Sequence, residues 1–216
     1  MKSCLKISLK DITYNWKLIN KASNGKAAAV IKANAYGMGM LEIAKALLDA
    51  GCSYFYVANI NEAIKLRKKY NSTKISIAIF EGYLEGNQKL YNEYNLIPII
   101  NGLDQLIRLN KFAVEEAFPR AVLNIDTGMN RLGLNQEEKI FLIKNKDILK
   151  NIKLDFIMSH LANAHEREGK KNLIQLDKIK NFSTYFPDIK LSLANSGGIK
   201  LGSNFCLDQT RPGIAL

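Results

Sequence analysis

Short uninterrupted apolar runs alternate with amphipathic stretches along nearly the whole chain. Ala27 to Ile31 is the first such run, and a glycine-bearing turn separates it from a segment carrying Leu41, Ala44, Leu47 and Leu48 on one side. That spacing is helical, and Gly51 stands where a left-handed glycine would end the helix. Tyr54 to Val57, Ile75 to Phe80, Leu96 to Ile100, Ala121 to Ile125, Leu154 to Met158 and Leu191 to Ala194 read as further strands. Helical patterns over Ile60 to Arg67, Asp104 to Ala117, Gln136 to Ile148 and Leu173 to Phe182 lie between them, with a weaker one inside Glu81 to Tyr94. A final apolar run begins at Arg211 and reaches Leu216. Continuous rather than alternating apolar runs mark parallel strands covered on both faces.

About eight β-units result, most with a crossover helix, which leaves a doubly wound sheet or a closed barrel. A dinucleotide fold places GxGxxG straight after its first strand. Here Lys32-Ala33-Asn34-Ala35-Tyr36-Gly37-Met38-Gly39 follows instead, with a lysine at the strand end and no third glycine. The count favours an α/β protein of the (β/α)8 TIM-type barrel class, incomplete at its last unit. One domain over residues 1–216, truncated at its C-terminal end, is the expected organisation.

Length and composition agree with this, since 216 residues and 47% apolar content suit one substantial globular domain. The formal charge of +11 raises the question of a nucleic-acid or membrane partner. The lysines, however, are scattered from Lys2 to Lys200 between apolar residues, with no arginine cluster or basic tail. A solvated lysine face is therefore expected, with no nucleic acid and no membrane as partner. Cys4, Cys52 and Cys206 form no CxxC pair, so neither a disulfide scaffold nor a zinc knuckle is indicated and a cytoplasmic setting is expected. Near the N-terminus Ile7, Leu9, Ile12 and Trp16 alternate with polar residues, so no signal-peptide core forms.

In a barrel the active site is built at the C-terminal strand ends. Those positions hold Lys32, Arg131, His160, Asn195 with Ser196, and Arg211. A lone lysine closing a strand is often only solvated at the rim. A Schiff-base lysine needs its amine deprotonated, through desolvation or neighbouring cations, and arginines projected into the same mouth supply that condition. Ser196-Gly197-Gly198 and Gly213 fall after the seventh and eighth strands, where barrels commonly hold phosphate. The plainer alternative is a strand-to-helix turn with a serine cap. Asp126-Thr127-Gly128 matches the aspartic-protease triplet, but that chemistry needs two facing carboxylates in an all-β setting. His160 and His165 fit neither HExxH nor a finger spacing, so no metal site is expected. His165, Glu166, Arg167 and Glu168 read as a solvated loop.

The stretch from Ala29 to Gly37 closely resembles the cofactor-lysine signature of alanine racemases. Asn124 to Gly133, Ser159 to Ala162, Ala194 to Ser196 and Arg211 to Leu216 resemble four more motifs, in family order. The resemblance covers essentially the whole chain and implies a pyridoxal 5′-phosphate enzyme interconverting L-alanine and D-alanine for cell-wall synthesis. By it, Lys32 would carry the cofactor and act as one proton-transfer base. Tyr36, Asn195, Ser196, Gly213 and Ile214 would contribute to the phosphate site. Arg131 would lie near the cofactor's phenolic oxygen and the substrate carboxylate, and Arg211 would face the pyridine nitrogen with His160 beside it.

Three departures from the family pattern stand out. Met38 replaces a usual histidine, and neutral Asn124 stands where many relatives carry a carbamylated lysine that orients the arginine. The family's β-rich C-terminal domain, which brings the opposite-face tyrosine across a homodimer interface, has no counterpart here. The expectation is thus a racemase barrel or fragment that is poorly active alone, needing a dimer partner or a companion C-terminal domain. Alternatives are a catalytically impaired barrel that only binds the cofactor, and a single-domain barrel of the pyridoxal-phosphate homeostasis type. The Lys32 and Asp126 stretches resemble racemases rather than the latter group.

Overall fold

The computed structural model describes residues 4–72, 74–115, 119–167 and 169–216. Lys2, Glu168 and the Ala117 end of the expected 104–117 helix lie outside the described residues. Eight parallel strands form one sheet in chain order: β1 (Ala29–Val30), β2 (Tyr54–Val57), β3 (Ser76–Ile79), β4 (Ile97–Ile100), β5 (Arg120–Asn124), β6 (Lys153–Met158), β7 (Leu191–Asn195) and β8 (Gln209–Arg211). The sheet curls until its first and last strands meet. Ala27 bridges Thr210, while the Ala28, Thr210 and Val30 N–H groups donate to the carbonyls of Thr210, Lys26 and Pro212. This seam is the thinnest joint of the barrel, but it is hydrogen-bonded.

Side chains on each strand alternate between two buried environments. Val30, Tyr56, Ala78, Ile97, Ile99, Val122, Phe156 and Met158 fill the barrel interior. Their neighbours, among them Ala29, Phe55, Ile77, Ile79, Leu123, Ile157 and Leu193, pack outward beneath the helices. Both faces being covered, the strands carry unbroken apolar runs, as the sequence suggested. The outer layer comprises α1 (Leu9–Ala22), α2 (Lys32–Tyr36), α3 (Met40–Asp49), α4 (Ile60–Lys69), α5 (Gln88–Glu93), α6 (Leu103–Glu115), α7 (Gln136–Lys144), α8 (Lys170–Ser183) and α9 (Ser196–Lys200).

Three elements differ from the sequence expectation. The segment read as mere alternation near the N-terminus is α1, which buries Ile12 and Trp16 four residues apart, with Ser8 as its cap. The Trp16 indole donates to the Ala28 carbonyl and ties α1 to the start of the barrel. The 136–148 helix stops at Lys144 and resumes as a 3-10 turn over Lys146–Leu149. The eighth strand is Gln209–Arg211 rather than a run beginning at Arg211. Its residues are polar and still buried because Tyr56, Ser23 and Ser192 satisfy their side chains, so no apolar pattern announces it.

The loop after β5 folds back on its own strand, with Leu134 N–H donating to the Asn124 carbonyl and Asp126 N–H to that of Leu134. Gly133 makes this possible. Its φ is +106°, and a Cβ there would lie 2.7 Å from the Ile125 carbonyl carbon and 2.8 Å from the Asp126 nitrogen. Gly133→Ala is expected to cost about 2–3 kcal/mol, from left-handed strain plus the displaced backbone. Chemical denaturation would check this, and an unchanged midpoint would contradict the close approach.

Candidate active site

The residues singled out at the strand ends gather at one mouth of the barrel. Lys32 follows β1 and projects its ammonium over the Phe80 ring, 5.3 Å from the centroid. Phe80 is itself held by stacking on Tyr56, at 5.4 Å and 27°. Among the described residues no hydrogen bond to the Lys32 amine is found.

The backbone beyond Lys32 turns the wrong way for an L-peptide. Ala33, Asn34, Ala35 and Tyr36 all have φ between 52° and 55°, so α2 is one turn of left-handed helix. Such residues cost roughly 1–2 kcal/mol each, and the surrounding structure must hold them. Glu62, on α4, does so from outside. Its carboxylate accepts from Asn34 N–H at 2.9 Å and from Ala58 N–H at 2.8 Å. The Asn34 side chain in turn accepts from Met40 N–H, linking the turn to α3.

His160, after β6, lies among three cations. Burial foremost, then Arg211, Arg131 and Lys32, lower its pKa to about 3. Its tautomer follows from its neighbour. Asn195 caps α9 by accepting from Gly198 N–H, so its Nδ2 faces the His160 Nε2 at 3.1 Å. An amide nitrogen can only donate, hence Nε2 is the acceptor and the ring proton sits on Nδ1.

Arg211 is buried, and burial lowers its pKa. The guanidinium donates to the Ser192 hydroxyl at 2.5 Å and to the carbonyls of Ser159 and Leu193 at 2.5 and 3.3 Å. Arginine remains protonated even so. Arg131 is exposed at the rim and lines a small cavity of about 40 Å³ with Phe80, Asn124, Asp126, Met158 and His160. Asn124 does not turn to it, because its amide donates to Asn101, whose own amide donates to the Phe80 carbonyl.

Asp126, lining the same cavity, is already engaged. Its Oδ1 accepts from the N–H groups of Gly128, Met129 and Asn130. Burial would raise its pKa, but these donors and Lys139 outweigh that and leave it lowered. The Asp-Thr-Gly triplet is therefore a loop-shaping turn. The serine-cap alternative for the 196–198 turn is corrected too. Asn195 is the cap of α9, whereas the Ser196 hydroxyl accepts from Gly213 N–H at 3.0 Å and Ala215 N–H at 3.3 Å. The Tyr36 hydroxyl fills the space that a Cβ at Gly213 would need, and Ile214 is 85% exposed beside it.

The mouth thus combines three cations, a serine hydroxyl that gathers the Gly213 and Ala215 N–H groups, and a neutral imidazole, with its lining carboxylate occupied. That donor set suits a phosphate and a carboxylate, and an amine at the end of β1 suits a carbonyl-bearing cofactor. His165 is apart from it, 78% exposed near Glu166. A larger groove of about 430 Å³ lies around Arg67 and Tyr94, but there the Arg67 guanidinium is committed to four backbone carbonyls. Sequence reasoning passed over Glu62, Ser192 and Gln175. Asn172 and Gln175 share the buried stripe of α8 with Leu176 and Ile179, and polar residues on such a stripe were the available signal.

Residues 7–216 match the family model described as alanine racemase, N-terminal domain. An alanine racemase of Rickettsia typhi is 41% identical over 214 residues, covering 98% of this chain and 53% of that protein. One of Rickettsia bellii is 43% identical over 196 residues, covering 90% and 48%. Among solved structures, alanine racemase from Bartonella henselae with covalently bound pyridoxal phosphate superimposes with a TM-score of 0.93 at 35% identity, covering 96% of this chain and 61% of that one. The biosynthetic alanine racemase of Pseudomonas aeruginosa gives 0.81 at 28%, covering 95% and 57%. The chain spans about half the length of the first two relatives.

The depressed His160 pKa has a consequence for stability. Unfolded, the ring takes a proton near its ordinary value of 6.5, whereas folded it stays neutral down to about 3. The unfolded state therefore binds more protons in that window, and stability falls as pH falls through it. Between pH 7 and pH 4 the loss should be roughly 2 kcal/mol after allowing for partial solvent screening. Urea denaturation of the parent and of His160→Gln at both pH values checks this: the substituted chain should lose most of the slope, and equal slopes would contradict the assignment.

Proposed function

The chain belongs to the alanine racemase N-terminal domain family, and we propose on that premise that it is the cofactor-bearing barrel of a pyridoxal-phosphate-dependent alanine racemase. The reaction is the isomerisation of L-alanine and D-alanine, which supplies D-alanine for cell-wall peptidoglycan in the cytoplasm. Its working form is a homodimer of the full-length enzyme, or this barrel joined by a companion C-terminal domain. Among the described residues no helix is long and apolar enough to cross a membrane. The observation that carries the proposal is the Lys32 amine, found among the described residues without a hydrogen-bond partner, at a mouth it shares with Arg131, Arg211 and a neutral His160.

Bound there, pyridoxal phosphate would supply the electron-withdrawing ring that acidifies the substrate α-proton. Lys32 attaches it and takes or returns the proton on one face of Cα. Ser196, the Gly213 and Ile214 backbone and the Tyr36 hydroxyl hold the phosphate, with Asn195 setting the turn that presents them. Arg131 pairs with the substrate carboxylate, where a planar fork gives two parallel hydrogen bonds. Arg211, fixed by Ser159, Leu193 and Ser192, would face the ring nitrogen, and because a guanidinium holds its protons too tightly to transfer one, that nitrogen would stay unprotonated. His160, whose Nε2 accepts from Asn195, stays neutral and supports that arrangement.

Two measurements test this. Pyridoxal phosphate added to the chain should give a visible absorbance that is lost in Lys32→Ala, and an unchanged spectrum in that variant would end the cofactor assignment. Chiral analysis in D₂O addresses turnover. The described residues offer Lys32 as a base for one face, while the guanidinium groups of Arg131 and Arg211 have no acceptor site and the Nε2 lone pair of His160 already accepts from Asn195. The 216-residue chain by itself should therefore exchange the α-proton of one enantiomer slowly and invert it poorly, since a positioned second base contributes about 10²–10⁴-fold. Rapid inversion by the chain alone would overturn this account of the faces. The alternative of an impaired binding protein draws on the Asn124–Asn101 pairing, which leaves Arg131 unsupported; it gives absorbance with no α-proton exchange.

A further inference from the structure

Gln175 sits on α8, outside the barrel wall, and is 1% exposed. Its carboxamide reaches two different strand-end loops. Oε1 accepts from Ala162 N–H at 2.9 Å, and Nε2 donates to the His160 carbonyl at 2.9 Å and to the Thr127 hydroxyl at 3.1 Å. The orientation of the amide is forced, because a backbone N–H can only donate and a carbonyl can only accept. Thr127 Oγ1 lies 2.8 Å from Ser159 Oγ, and the Ser159 carbonyl receives the Arg211 guanidinium.

One side chain on an outer helix is thereby bonded to the loop that ends at Arg131 and to the loop that carries His160, and it connects through Thr127 and Ser159 to Arg211. We propose that Gln175 is a positioning residue that locks these two loops in one register, so that Arg131 and His160 hold their places at the mouth together. The proposal rests on the functional reading above for what the loops do, but the clamp itself is a property of the chain. A methionine of similar size would fill the same volume and make none of the three bonds. The position is therefore separable from simple packing.

The experiment is hydrogen–deuterium exchange of the chain without cofactor, joined to a titration with pyridoxal phosphate. In Gln175→Met, amides of residues 126–134 and 159–163 should exchange about tenfold faster, with β2 and β3 unchanged, as expected for losing hydrogen bonds to buried groups. Gln175→Glu keeps the acceptor for Ala162 but sets an oxygen against the His160 carbonyl. It should loosen the 159–163 loop while leaving α8 protected, and it serves if the methionine variant folds poorly. Leu176→Ala is the comparison, since it weakens the same helix without touching the clamp. The same two-loop pattern in Leu176→Ala, or loosening of only one loop in Gln175→Met, would overturn the proposal. Cofactor affinity should fall at least fivefold in Gln175→Met, and an affinity equal to the parent's would overturn the link to the site. If the parent chain binds no pyridoxal phosphate, the functional reading fails, while the exchange data still decide the clamp.

Discussion

Hydrogen bonding between β8 and β1 is the joint on which the site depends. Lys32 stands near the start of the chain, and Arg211 and Gly213 near residue 216. The pairing of Ala27 with Thr210, and the hydrogen bond from Val30 N–H to Pro212, set them side by side. A parallel sheet sends every strand end the same way, so closing it collects at one rim residues that are remote in the chain. Were the same strands laid out as an open sheet, Lys32 and Arg211 would lie at opposite edges.

Closure has an electrostatic counterpart. Three cations share the mouth, and the adjoining carboxylate, Asp126, is held by backbone N–H groups of its own loop. Burying a guanidinium as deeply as Arg211 is costly unless its donors are satisfied. Two carbonyls and a hydroxyl do that without cancelling the charge. The excess is thus kept for an anion, and His160 responds by giving up its proton. Positive charge is concentrated here by neutral acceptors, where ion pairs would have dissipated it.

Much of this was legible in the sequence, for identifiable reasons. Strands covered on both faces must be apolar throughout, so β2, β3 and β4 were visible as runs; the barrel followed from their number. Lys32 and His160 were visible because a polar residue within two positions of such a run has few places to go other than the rim, and Arg131 by its place in the loop after the fifth run. The signal failed where polar groups are buried by mutual satisfaction. Gln209 and Thr210 build a strand that looks like a loop, and Gln175 occupies a core position of α8. Neither hydropathy nor local spacing reports a partner that lies on another β-unit. α1 was missed because only Ile12 and Trp16 of its residues are buried, which is too thin a stripe to register as helix.

The left-handed turn after Lys32 has a bearing on how the protein is assembled. Right-handed backbone is the local default for Ala33, Ala35 and Tyr36, and the mirror-image turn is held both by bonds of its own segment, from Gly39 N–H and Met40 N–H to Asn34 among them, and by Glu62 of the next β-unit, which accepts from Asn34 N–H. Without Glu62 the turn loses one of the bonds that offset its left-handed strain. Docking of α4 and the setting of Lys32 are consequently coupled. A nascent chain released only as far as α3 has its lysine but lacks the carboxylate that braces the turn behind it.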